Sequence, residues 1–214
     1  MNDKIKVILV DDHAVVRAGF RMLLAASKSI EVIAEAERGE QAIQLAQEQS
    51  ADVIVMDLSM PGLGGLETIR RICQRDDQAK ILVFSVHDEM VYVNRAMAAG
   101  AKGYISKNSA PAMLPEAIEK VARGELFIEA GLVKERPDQA EAVDYQTAIS
   151  AFTAREFDVF CLLAKGMTVH KVADELCLGY KTVANYGTQI RAKLNVSTLA
   201  ELAHIAVMLG LMKK

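Results

Sequence analysis

Along the first 125 residues, short apolar runs alternate with stretches of helical spacing. The runs are Lys6–Val10, Ile30–Ala36, Val53–Met56, Lys80–Ser85 and Gly103–Ser106. After each run, His13–Leu24, Gly39–Gln49, Gly65–Gln74, Met90–Ala99 and Ala112–Arg123 gather their apolar residues on one helical face. Val53–Met56 is apolar at every position, as a strand covered by helices on both sides must be. Five strands, each followed by a helix, predict an α/β fold: a doubly wound five-stranded parallel sheet. Pro115 falls inside the fifth helix and removes an amide donor there, which predicts a late start or a kink.

The pattern breaks after residue 125. Leu126–Ile149 keeps some apolar content at Phe127-Ile128, then turns charged around Pro137. That is the composition of an interdomain linker with short helical pieces at its ends. Beyond it the spacing is helical. Thr153 and Glu156 form the signature of a capping box ahead of a helix that reaches Ala164. Thr168 caps a short helix to Leu176, Cys177-Leu-Gly179 makes a turn, and helices over Tyr180–Leu194 and Leu199–Leu209 follow. Four helices with a tight turn between the second and third describe a helix-turn-helix unit. The chain is thus expected to divide into 1–125, a linker over 126–149, and a small all-α domain over 150–214.

Composition narrows the class. Apolar residues make up 51% and charged residues 25% of the 214, the balance of an ordered globular protein. No stretch reaches the roughly eighteen apolar residues of a membrane span, and the start runs directly into a strand rather than a signal sequence. Cys73, Cys161 and Cys177 are scattered without metal-ligand spacing and read as reduced thiols of a cytoplasmic protein. The net charge of −3 hides an asymmetry: residues 1–126 carry 15 Lys and Arg against 18 Asp and Glu, residues 150–214 carry 8 against 5. A basic module joined to an acidic one points to a polyanionic partner.

The candidate chemistry lies at the strand ends. Asp11 and Asp12 follow the first strand, Asp57 the third, Ser85 closes the fourth and Lys107 follows the fifth. In a parallel sheet these positions share one edge, where open α/β sheets bind their ligands. Each alone has a plain reading. Asp11-Asp12 can cap a helix, Ser85 can cap a strand end, Lys107 can be a solvated loop charge and Tyr104 core; His87 and Asp88 read as exposed loop residues. Gathered, the three carboxylates repel one another unless a cation joins them. Oxygen donors alone suit Mg²⁺. A carboxylate beside that ion can attack a phosphoryl group, with Ser85 donating a hydrogen bond to a phosphoryl oxygen and Lys107 neutralising its charge.

Asp11-Asp12, Asp57 with Met60-Pro61-Gly62 behind it, Ser85 and Lys107 together resemble the CheY-like receiver domain of two-component response regulators over residues 5–125. The resemblance implies that Asp57 accepts a phosphoryl group from a sensor histidine kinase or from acetyl phosphate. It implies that Asp12, Asp57 and the Ser59 backbone carbonyl bind Mg²⁺, with Asp11 in support. It also implies that Ser85 and Tyr104 move inward on phosphorylation.

On Tyr180–Leu194, the spacing turns Val183, Ile190 and Leu194 to the core and leaves Lys181, Thr182, Asn185, Gln189 and Lys193 for phosphates or base edges. Such a helix lies in the DNA major groove. The segment resembles the LuxR-type output domain of NarL/FixJ response regulators, carried by Thr153-Ala-Arg-Glu156, Leu163-Ala-Lys-Gly166, Lys181-Thr-Val183, Ile190 and Lys193-Leu-Asn-Val196. It departs at Gly179, Ala184, Tyr186 and Leu199, where that family often has Ser, a basic residue, His and Arg. Joined, the resemblances imply a regulator rather than an enzyme: phosphorylation on Asp57 controls DNA binding and transcription, with a homodimer as the active form. Two alternatives are a regulator whose receiver acts independently of phosphorylation and a phosphotransferase. The latter class commonly has a second Asp at the position held here by Ser59.

Overall fold

In a computed structural model describing residues 4–109, 113–132 and 140–212, the chain forms two compact units, Met1–Val133 and Lys134–Lys214. The first unit contains β1 (Ile5–Val10), α1 (Ala14–Ala25), β2 (Ile30–Ala36), α2 (Gly39–Glu48), β3 (Val53–Met56) and α3 (Gly65–Arg75). It continues with β4 (Ile81–Ser85), α4 (Met90–Ala99), β5 (Gly103–Ser106), α5 (Met113–Ala122) and β6 (Phe127–Ile128). All strands run parallel, in the order β2-β1-β3-β4-β5-β6. The apolar runs explain the layering. Every residue of β3, β4 and β5 is buried, whereas the edge strand β2 exposes part of its length. Fully buried residues such as Ile8, Leu9, Ile69, Leu82 and Ile105 each contribute about 1.5–3 kcal/mol of transfer free energy.

The doubly wound parallel sheet stands as expected, with one strand more. Gly103 is the register partner of Phe127, and a Cβ there would lie 2.7 Å from Leu82 Cδ1 and 2.9 Å from the Phe127 carbonyl oxygen. Only glycine lets β5 hold both neighbours, so the front of the segment read as linker joins the sheet instead. A turn of 3-10 helix, Ala130–Leu132, follows it. Pro115 is the third residue of α5, where an amide has no acceptor within the helix. No hydrogen bond is lost there.

The second unit contains α6 (Ala140–Ser150), α7 (Ala154–Ala164), α8 (Val169–Glu175), α9 (Tyr180–Leu194) and α10 (Leu199–Met208). The charged stretch 134–139 with Pro137 lies outside the described residues. Helix α6 takes up residues that the sequence assigns to the linker, and its end reaches a core: Ile149 and Phe152 are buried, with Phe152 edge-on to Phe160 at 6.0 Å. Thr153 and Glu156 complete the predicted capping box, and a second box joins Thr198 to Glu201. Phe157, Val172, Val183, Ile190 and Leu202 are fully enclosed between the helices. Among the described residues no helix is long and apolar enough to cross a membrane.

Candidate functional site

The sheet's switch point lies between β1 and β3, where the connections depart in opposite directions, and a crevice opens there at the carboxyl ends. Asp11 follows β1 and Asp57 follows β3, and they are 4% and 2% exposed. Lys107, on the loop after β5, reaches both. Its Nζ donates to Asp57 Oδ2 at 2.8 Å and to Asp11 Oδ2 at 2.5 Å. The other oxygen of Asp57 accepts the Leu58 amide at 2.7 Å and the Ser59 amide at 3.3 Å. Asp11 Oδ1 accepts the His13 amide at 2.8 Å, and Arg17 donates to the Asp11 carbonyl at 2.6 Å.

Burial raises the Asp57 pKa above its ordinary value, against the opposing pull of Lys107, and the neighbouring Asp11 pushes the same way as burial. Burial would lower Lys107, yet the two carboxylates outweigh it and hold the ammonium above its ordinary range. For Asp57 the folded state therefore binds protons more readily than the unfolded chain. Its stability contribution is present below the unfolded pKa and is lost as pH rises through the folded one. In Mg²⁺-free buffer Asp57→Asn is accordingly expected to melt higher than wild type at pH 7, with the gap closing towards about pH 4. Calorimetry across that range checks it; a variant that melts lower at pH 7 overturns the sign.

Asp11, Asp12, His13 and Asp57 bring one ligand atom each to within 4.8 Å of one another. Asp12 is partly exposed, and its Oδ1 lies 2.8 Å from His13 Nδ1. His13 escaped the sequence reading, although its place next to Asp12 was the available signal. It occupies the N-cap of α1 without a side-chain cap bond, and Asp11 Oδ1 takes its amide.

Ser85 is fully buried and its Oγ accepts the His87 amide at 3.3 Å. Tyr104 is fully buried too, donating its hydroxyl to the His87 carbonyl at 2.7 Å; burial drives its pKa upward. His87, expected to be an exposed loop residue, instead closes the rim. Its Nε2 is 3.0 Å from Ser59 Oγ, and its ring stacks on Tyr92 at 3.9 Å with planes 10° apart. Asp88 is exposed.

In the second unit α8, a turn through Cys177 at φ 52° and α9 make the tight corner. Gly179 is the N-cap of α9. Val183, Ile190 and Leu194 are buried, while Lys181, Thr182, Asn185 and Gln189 are exposed along the helix. Lys193 is exposed as well, yet its ammonium already has partners. Its Nζ donates to buried Glu156 at 2.6 Å and sits 5.6 Å over the Phe152 ring, so it ties α9 to the capping box of α7.

Residues 7–119 match the family model of the response regulator receiver domain, and residues 150–206 match that of bacterial regulatory proteins of the luxR family. The transcriptional activator protein ExaE of Pseudomonas putida is 39% identical over 212 residues, covering 97% of this chain and 98% of that protein. The response regulator UvrY of Escherichia coli K12 is 37% identical, covering 97% and 95%. Among solved structures, a two-component response regulator of the LuxR family from Aurantimonas sp. SI85-9A1 is 39% identical with a TM-score of 0.59, covering 61% of this chain and 93% of that one. Buried carboxylates bridged by a lysine, a helix-turn-helix unit and these matches agree: the chain belongs to the NarL/FixJ family of two-component response regulators, with a receiver domain and a LuxR-type DNA-binding domain.

Proposed function

We propose that Asp57 is the phosphoacceptor of this regulator and that its phosphorylation by a sensor histidine kinase controls DNA binding by the second unit. The observation that carries the reading is the ammonium of Lys107 shared between Asp57 and Asp11 at the switch point. It places a cation where an incoming phosphoryl group adds negative charge. In the transfer, a carboxylate oxygen of Asp57 bonds to phosphorus as the bond from phosphorus to the donor nitrogen breaks. The donor imidazole leaves with a proton from solvent. The Leu58 and Ser59 amides hold the carboxylate in place for attack. Ser85 supplies a hydroxyl for a phosphoryl oxygen; Tyr104 is already buried with its hydroxyl on the His87 carbonyl, so the inward movement expected of it is complete in this structure.

The donor set fits Mg²⁺: carboxylates of Asp11, Asp12 and Asp57 converge, and the Ser59 carbonyl would add a neutral oxygen. Asp12 and Asp57 would hold the ion with Asp11 in support, while His13 beside Asp12 would orient that carboxylate as an outer partner. When bound, Mg²⁺ neutralises charge on the acceptor and on the phosphoryl oxygens. Mg²⁺ at a hundredfold its Kd is expected to stabilise the wild type by about 2.7 kcal/mol. Asp12→Ala should lose most of that gain in a thermal-shift titration, and an equal gain in both proteins removes Asp12 from the site.

The domain roles follow: the unit over residues 1–133 receives the signal and the unit over 134–214 reads DNA in the cytoplasm, as a homodimer when active. Lys181, Thr182, Asn185, Gln189 and Lys193 are the contacts to double-stranded promoter DNA, Lys193 also tying α9 to Glu156. Anisotropy titrations of the full chain on promoter fragments, with and without acetyl phosphate and Mg²⁺, test the reading. Tighter binding with the donor is expected, and no change would favour the phosphorylation-independent alternative.

A further inference from the structure

Strand β6 ends at Ile128, yet β5 runs on to Ser106. The ladder between them closes with the Glu129 amide donating to the Tyr104 carbonyl at 3.1 Å. The next donor, the amide of buried Ser106, has no strand left to meet. It donates instead to the side chain of Glu129, at Oε2, 2.9 Å away. The other oxygen, Oε1, accepts the Ser109 hydroxyl. One carboxylate thus staples the first and last residues of a four-residue turn, 106–109, which the Ser109 amide closes on the Ser106 carbonyl at 3.0 Å. Lys107 sits inside that turn, its amide on the Ser85 carbonyl at 2.6 Å and its ammonium on Asp11 and Asp57.

We propose that Glu129 is a positioning residue for phosphoryl transfer, acting by fixing the turn that aims Lys107 at Asp57. The inference rests on the reading of Asp57 as phosphoacceptor. A lysine stem has four rotatable bonds and keeps its aim only if its backbone is held. At the loop's start the sheet holds it through Ser85. At the far side Glu129 takes the part that a longer β6 would have played, since a buried amide must find an acceptor. The segment that leaves this unit thereby braces the loop that serves the acceptor.

The test follows phosphorylation of the full chain by acetyl phosphate with Mg²⁺, over a range of donor concentrations. Glu129→Ala is expected to lower the saturated rate roughly fivefold, about the worth of one hydrogen bond, with the final extent of labelling unchanged. A merely unfolded fraction would lower the extent and leave the rate. Glu129→Gln should restore the rate, because its amide oxygen accepts from Ser106 and its amide nitrogen donates to Ser109. In a Lys107→Ala background Glu129→Ala should add nothing, since coupled residues are not additive. Amide resonances of residues 106–109 should shift in Glu129→Ala and stay in Glu129→Gln, which reads the turn whatever the residual rate. An unchanged rate in Glu129→Ala, an additive loss in the Lys107→Ala background, or unshifted resonances each overturn the inference. Failure of the wild type itself to take up phosphoryl groups overturns the acceptor reading, and this inference with it.

Discussion

The Asp57→Asn protein is expected to stay folded, to take up no phosphoryl group from a small-molecule donor, and to bind promoter DNA equally with and without it. A carboxamide keeps the volume of the side chain and an oxygen for the Leu58 and Ser59 amides, so the backbone around it has no reason to move. What it lacks is a charged oxygen nucleophile, and the uptake rate should fall by on the order of a thousandfold or more. The wild type should tighten on DNA about five- to a hundredfold when phosphorylated, the range of an allosteric coupling of about 1–3 kcal/mol. Phosphate-affinity electrophoresis reads the first quantity and fluorescence anisotropy the second. A variant that still labels places the acceptor elsewhere in the chain. One that fails to label yet still responds on DNA separates the two units' signalling from phosphorylation.

Gly65→Ala is expected to be nearly as damaging to the site while touching none of its charges. A Cβ at Gly65 would stand 2.3 Å from the Asp57 carbonyl oxygen and 2.5 Å from Leu58 Cα. Both are backbone atoms beside the acceptor, with no flexible tip to swing aside. The Gly65 amide also donates to the Leu58 carbonyl at 3.0 Å, fixing α3 against the end of β3. Either α3 lifts away or the Asp57–Leu58 peptide shifts, and overpacking of this kind costs about 3 kcal/mol. The receiver's melting temperature should fall by about 10 °C, with slower phosphorylation in the fraction that remains folded. Gly19 is the matching control. It lies inside α1, and a Cβ added there would meet nothing within 4 Å, so Gly19→Ala should gain about 0.5–1 kcal/mol through helix propensity. Calorimetry of both variants checks the pair; a Gly65→Ala protein that melts with the wild type would show that α3 can give way freely.

Much of the molecule is written in local pattern. Runs such as Val53–Met56 and the capping box of Thr153 and Glu156 specify strands and helix starts through residues a few positions apart. The order of the strands places Asp11, Asp57, Ser85 and Lys107 at one edge because parallel strands share a direction. Spacing along α9 reports the face on which Lys193 lies, not its partner 37 residues away. Strand β6 carries only two residues, too few for any periodicity, and its place depends on the missing side chain of Gly103.

Period and caps are local properties, and they were enough for the fold class, the helix-turn-helix unit and the residue types at the strand ends. Tertiary structure alone decided which of them meet. Lys107 bridges Asp57 from 50 positions away and Asp11 from 96, His87 closes over Ser59, and Glu129 holds the turn between them and the chain's exit from the sheet. Those pairings follow from register and packing across the sheet, which fix distances that no spacing along the chain encodes.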